Sequence, residues 1–248
     1  MSQANPNHLF PRDYDVSEQL FDEHATEYDS WFLKNRNVLQ SEVELLAGVL
    51  KDPGRALSVG CGSGLFEMIL REGHRIDIHF GVEPASGMAE IAVKRGMEVQ
   101  IGPAEELPFD DESFDTVLFN GTPSYIGDLR KAFTEAKRVL RSGGHIVVAD
   151  VPAESSYGTL YRLAAMVGSW DDPSLKAIAP PVPYPIEFAA AANWRTTQEK
   201  LDLLRDLGFH GLRSSQTLTL HPKFSDEAAE TPIPGHDRGD YVAIRGRK

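Results

Sequence analysis

The stretch "LSVGCGSGLFE", residues 57–67, sets three glycines at alternate positions between an apolar run and a helix-like pattern. A glycine-rich turn from strand to helix lets a ligand approach the main chain where a Cβ would clash. In open α/β sheets that place lies beyond the C-terminal ends of the strands, where the strand order reverses. Gly60, Gly62 and Gly64 follow G-x-G-x-G, and Leu65 stands where a dinucleotide fingerprint needs its third glycine. The triplet alone fits either a small-molecule site or a tight turn with no ligand. The residues around it decide.

Working outward, "RALSV" (55–59), "RIDIHFGV" (75–82), "MEVQIG" (97–102), "FDTVLFN" (114–120) and "GHIVVADV" (144–151) read as strands. Between them "GLFEMILREG", "SGMAEIAVKRG" and "DLRKAFTEAKRVLRSG" read as helices, each closed by glycine. This alternation predicts a parallel sheet with helices on both faces. Upstream, the apolar positions from Val16 to Leu50 predict two helices interrupted near Lys34–Asn37, after a polar arm over residues 1–14. Downstream, "LDLLRDLGF" reads as a helix, and "LRSSQTLTLH" and "DYVAIRGR" as two strands joined without one. That pair predicts an antiparallel sheet edge. The segment between the fifth strand and the last helix is too long for a simple crossover. Its aromatics and prolines read as an insertion over the top of the sheet.

The second strand ends in "FGVEP", with Glu83 placed to accept hydrogen bonds from both hydroxyls of a ribose. Then comes "IGPAEELPFDDESFDTVLFN", in which a strand end, an Ala–Glu pair and an acidic turn lead into the fourth strand. The ordered set "LSVGCGSG", "GVEPASGM", "GPAEELPFDDESFDTV" and "EAKRVLRSGGHIVVAD" resembles class I S-adenosylmethionine-dependent methyltransferases. The nearest group is the small-molecule one that includes the quinone-biosynthesis enzymes. The resemblance runs from Ala56 to Val151, and "FDEHATEYDSWF" resembles the lid helix that precedes such domains.

The resemblance implies an α/β fold with a Rossmann-like, seven-stranded, mostly parallel sheet, an antiparallel edge strand, an N-terminal helical lid and a cap after the fifth strand. It implies S-adenosylmethionine as cofactor. The backbone of Gly60, Cys61, Gly62 and Gly64 would cradle its methionine part and ribose, and Glu83 would bind the ribose hydroxyls. Pro84 would pack on the adenine, with Ala104 and Glu105 along the adenine edge. Asn120 would face the methionine portion and Tyr28 would contact it from the lid. The family usually carries an acid where this chain has Ser58, so another residue must compensate or affinity must fall. Cys61 reads as a small buried side chain behind the loop.

Methyl transfer needs a general base only if the acceptor must lose a proton, and no residue stands out as one. The candidates are His24 in the lid helix, His221 at a strand end and Tyr125 after the fourth strand. His145 reads as structural. Tyr125, Tyr157, Tyr161 and Trp194 are candidate acceptor contacts, the last three from the cap.

The chain has 248 residues, 41% hydrophobic and 25% charged, with a formal net charge of −12. An acidic surface disfavours nucleic acid. The single cysteine excludes an intramolecular disulfide or a multi-cysteine metal site. The paired acids Asp110–Asp111 and Asp171–Asp172 read as turns, and no metal is expected. No apolar run reaches membrane-spanning length and the N-terminus lacks a secretory pattern, so a cytoplasmic protein is expected. The expected division is a single domain: arm and lid helices (1–50), cofactor core (51–152), cap (153–195), and a C-terminal helix with edge strands (196–248). The predicted function is methyl transfer to a small, partly apolar acceptor. Two alternatives stand beside it, a binding protein on the same fold and a nicotinamide-dependent oxidoreductase.

Overall fold

The apolar run before the glycine loop forms strand β1 (Ala56–Val59), buried on both faces as central parallel strands are. The computed structural model containing it describes residues 15–248, and the arm predicted over residues 1–14 lies outside them. Flanking β1 are β2 (Phe80–Glu83), β3 (Glu98–Ile101), β4 (Phe114–Asn120) and β5 (Leu140–Asp150). The remaining strands are β6 (His210–Thr217), β7 (Ile233–Pro234) and β8 (Tyr241–Arg247). Their order is β3-β2-β1-β4-β5-β8-β6-β7. The first five run parallel; β8, β6 and β7 pair antiparallel. The order reverses between β1 and β4, which opens a crevice at their C-terminal ends.

The sheet has eight strands where the sequence predicts seven. The extra one is the two-residue β7, cut from the loop between β6 and β8. The fully buried Gln216 holds that loop: its amide donates to the Pro234 carbonyl and Asp237 carboxylate and accepts from the Arg238 and Gly239 amides. The second strand is shorter than predicted. Helix α4 (Leu65–Ile69) runs on as a π turn over Leu70–His74, closed by Arg75 at φ +58°. Ile76 and Ile78 are buried, which gives the alternating pattern, but the ladder begins only at Phe80, opposite Leu57.

Alternate strand residues face two cores. Val117, Phe119, Ile146, Val148 and Ile244 pack against α6 (Leu129–Val139) and α9 (Thr197–Asp206). Leu118, Val147, Ala149 and Ala243 pack with α3 (Arg36–Val49) and the cap helix α7 (Ser156–Val167). Helix α5 (Ser86–Lys94) follows β2, and α8 (Ile186–Ala191) completes the cap.

The N-terminal region holds three helices rather than two, α1 (Asp15–Glu23), α2 (Ala25–Lys34) and α3. The break at Asn35 falls where predicted; a second one at His24 turns α2 away from α1. Among the described residues no helix is long and apolar enough to cross a membrane, and no cluster of three metal-ligating side chains forms.

Candidate active site

Gly60, Gly62 and Gly64 all adopt left-handed φ, between +54° and +69°, which a Cβ would strain. Gly60 has a second constraint. A Cβ there would sit 2.2 Å from the Thr122 methyl, while Thr122 Oγ1 lies 3.1 Å from the carbonyls of Val59, Gly60 and Asn120. The loop after β4 is thereby locked onto the glycine loop. Cys61 is buried and its Sγ fills the space over Gly81. Burial pushes its thiol well above the usual range, which leaves it unreactive at neutral pH.

Glu83 ends β2 beside this loop and is 6% exposed. Its carboxylate accepts from the amides of Gly62 at 2.8 Å and Ala85 at 3.0 Å. Burial nonetheless raises its pKa to about 7. Each oxygen keeps acceptor capacity for a hydroxyl. At Ser58 the structure answers the missing acid: Ser58 Oγ donates to Glu67 Oε1 at 2.7 Å, both side chains being buried. Glu67, on the first turn of α4, puts a carboxylate behind the loop that the strand itself lacks. Burial raises its pKa, and the Ser58 bond opposes that shift. Sequence reasoning missed Glu67; the only signal was an acid at an otherwise apolar helix position.

These groups line an outer cleft that opens to solvent at the strand C-termini, where ligands of open α/β sheets bind. Of the predicted cofactor residues, Tyr28, Gly60, Cys61, Gly62, Glu83, Pro84, Ala104, Glu105 and Asn120 line it, and Gly64 lies behind it. Glu105 accepts from the Asp128 amide at 3.2 Å. Asn120 Oδ1 accepts from the Tyr241 hydroxyl at 2.7 Å. The outer cleft fits an adenosine cofactor: backbone cradled by glycines, then a buried carboxylate where a ribose would lie.

Adjoining it is an inner chamber, the smaller of the two spaces. Its walls hold all four predicted acceptor contacts, Tyr125, Tyr157, Tyr161 and Trp194. They also hold Tyr184 and Glu42, which sequence reasoning missed. Tyr28, Phe66, Asn120, Gly121 and Tyr125 line both spaces, so the two meet there. The Tyr125 and Tyr184 hydroxyls are 3.1 Å apart, and burial pushes both phenols up. Tyr125 therefore stays protonated and serves as donor rather than base. His24 is not among the lining residues of either space; it lies in the break between α1 and α2, not within a lid helix, and its ring bonds Glu27 of α2 at 2.5 Å. His221 is exposed and its Nδ1 accepts from the Lys223 amide.

The lid closes over the junction through polar ties absent from the sequence reading. Asp29 of α2 accepts from Ser63 Oγ at 2.5 Å and Arg95 Nη2 at 2.7 Å, while Arg95 Nη1 donates to the Ser63 carbonyl. Trp31 Nε1 and Asn35 Nδ2 donate to the Val182 carbonyl of the cap.

A family model described as a methyltransferase domain matches residues 57–148. A Thermotoga maritima crystal structure, described as an S-adenosylmethionine-dependent methyltransferase and possible histamine N-methyltransferase, superposes with a TM-score of 0.77. It is 34% identical, over 95% of this chain and 100% of that one. An uncharacterized protein of Methanocaldococcus jannaschii is 32% identical over 230 residues, 92% of this chain and 98% of its own. The demethylmenaquinone methyltransferase of Roseiflexus castenholzii is 37% identical over 103 residues, 40% of this chain and 43% of that enzyme. With a glycine-loop cleft at the strand ends and the Thermotoga methyltransferase matched along nearly its whole length, the chain belongs to the S-adenosylmethionine-dependent methyltransferases.

Proposed function

We propose that the enzyme methylates a small, partly apolar acceptor held in the inner chamber while the cofactor occupies the outer cleft. The observation that carries this reading is the shared wall of Tyr28, Phe66, Asn120, Gly121 and Tyr125 between a glycine-loop cleft and an aromatic chamber. S-adenosylmethionine supplies a sulfonium methyl group to a nucleophile held in line with it. The chain's part is to bind, align and exclude water. Main-chain groups of the loop from Gly60 to Gly64 hold the methionine portion, and Glu67 with Ser58 supplies the charge that orients its amino group. Glu83 holds the ribose hydroxyls, with Pro84, Ala104 and Glu105 around the adenine. Tyr28 and Asn120 stand at the junction.

Residues 51–152 are the cofactor core in this reading, residues 153–195 the acceptor cap, and α1 and α2 the lid. A single buried cysteine suits a reducing, cytoplasmic setting. The test is calorimetric binding of S-adenosylmethionine and S-adenosylhomocysteine, followed by an acceptor screen coupled to S-adenosylhomocysteine release. Histamine, named for the Thermotoga relative, is one member of that screen. Binding of neither cofactor form at high micromolar concentration overturns the proposal. So does turnover confined to protein or nucleic-acid acceptors.

A further inference from the structure

Glu42 sits on the buried face of α3 with its carboxyl in the wall of the inner chamber, 4% exposed. Among the described residues it has no hydrogen-bond partner and no ion pair. The second acid in that wall is different. Asp150 is held by Lys200 Nζ at 3.3 Å, Ser124 Oγ at 2.8 Å and the Val151 amide at 2.9 Å. Lys200 is not part of the wall, and none of the nineteen lining residues is Lys, Arg or His. Ten of the nineteen are aromatic, so the chamber presents ring faces and two acids.

A carboxyl that faces an aromatic chamber without a protein partner is costly, and packing does not require it where leucine or glutamine would fill the same helix position. The surroundings select what would satisfy it. An anion finds no cationic side chain in the wall to pair with, and a neutral apolar molecule leaves Glu42 unpaired. An organic cation gains from the Glu42 carboxylate and from the faces of the tyrosine rings. The hydroxyls of Tyr28 and Tyr161, also without partners among the described residues, add acceptors for ammonium hydrogens. Burial and Asp150 hold the Glu42 carboxyl well above the usual carboxylate range, so the cation is what makes its charged form favourable.

We propose that the acceptor is an organic amine recognised as its ammonium ion, with Glu42 as the residue that selects the charge. Where the nitrogen itself is the acceptor atom, the ammonium gives its proton to the Glu42 carboxylate, which frees the lone pair that takes the methyl group. This rests on the reading of the inner chamber as the acceptor site. The neutral body of the amine lies against the aromatic wall around Trp31, Phe66 and Trp194.

The experiment uses the full chain saturated with S-adenosylhomocysteine. Binding of 2-phenylethylamine, hexylamine and tetramethylammonium is measured by calorimetry, alongside the neutral isosteres 2-phenylethanol and hexanol. At least one ammonium probe is expected to bind about tenfold or more tightly than its neutral isostere. In Glu42→Gln that preference is lost while S-adenosylhomocysteine affinity stays within about twofold. Equal binding of amine and alcohol by the unmodified enzyme overturns the proposal without recourse to any variant. Retention of the preference in Glu42→Gln overturns it, and so does failure of every ammonium probe when S-adenosylhomocysteine binds. Failure of S-adenosylhomocysteine itself to bind overturns the cofactor reading underneath, which separates the two.

Discussion

Burial raises the Glu83 carboxyl from 4.5 to about 7 although the Gly62 and Ala85 amides favour its charged form. Two pH dependences of opposite sign follow. The folded chain holds this proton more tightly than the unfolded chain, so the cofactor-free enzyme loses stability as pH rises from about 4.5 to about 7. Ribose hydroxyls donate to the charged form, so cofactor affinity rises over the same interval and levels off above it. Calorimetric titration of S-adenosylhomocysteine from about pH 5.5 to about 8.5 should show affinity falling as pH drops through about 7. Glu83→Gln should bind about 1–3 kcal/mol more weakly at the alkaline end, with the pH dependence flattened. Ser58 gives the second prediction at this scale. Because Glu67 already supplies the carboxylate, Ser58→Asp would not improve cofactor binding. It would set a second acid against Glu67 in a buried site and cost roughly 2–5 kcal/mol. Thermal unfolding of the cofactor-free variant measures that loss. An unchanged melting temperature together with tighter cofactor binding would show that Glu67 does not compensate.

Helix α2 is held to the glycine loop by Asp29, whose carboxylate takes both the Ser63 hydroxyl and the Arg95 guanidinium. Asp29→Ala leaves the buried Ser63 hydroxyl unpaired and removes the tie that keeps Tyr28 over the junction. The expected cost is about 1–3 kcal/mol. Amide exchange should quicken across residues 18–34 while β4 and β5 stay protected, and cofactor affinity should fall with it. Exchange unchanged in α2 would mean that aromatic packing alone holds the lid. The strength of this tie explains what was legible in the chain and what was not. The glycine loop, the parallel strands and Glu83 announce themselves because left-handed turns and alternating burial demand particular residue types locally. The Asp29–Ser63–Arg95 tie and the Ser58–Glu67 pair join positions whose spacing carries no periodic signal. The same holds for the break at His24, where an amphipathic pattern runs on although the chain turns. The apolar alternation of Ile76 and Ile78 reports burial correctly and says nothing of a ladder partner, so the pattern is longer than strand β2. Eight strands replace seven because one buried glutamine pins a loop, an effect of tertiary contact alone.

At the scale of the whole molecule, sheet, lid and cap each contribute one wall to a pair of connected spaces. The aromatic web runs from Tyr28 and Phe32 of the lid through Phe188 and Tyr184 of the cap to Tyr161, so lid and cap supply most of the inner chamber's aromatic wall, and the cofactor core closes it through Phe66, Asn120, Ser124, Tyr125 and Asp150. Division of labour of this kind has a measurable consequence: substitutions should separate by the space they line. Trp194 lines only the inner chamber, half-buried, with its Nε1 donating to the Ala189 carbonyl. Trp194→Ala should lower acceptor kcat/KM by about tenfold or more and leave S-adenosylhomocysteine affinity within about twofold, under 1 kcal/mol. Ala104 lines only the outer cleft, and Ala104→Val should crowd the cofactor and leave KM for the acceptor unchanged once cofactor is saturating. Tyr125 lines both, and its loss should impair both, because the wall it forms excludes water from the point of transfer. Steady-state kinetics with each substrate varied in turn, paired with calorimetry, resolves the three patterns. If Trp194→Ala weakened cofactor binding as much as acceptor turnover, the two spaces would act as one site and the cap would be part of the cofactor pocket.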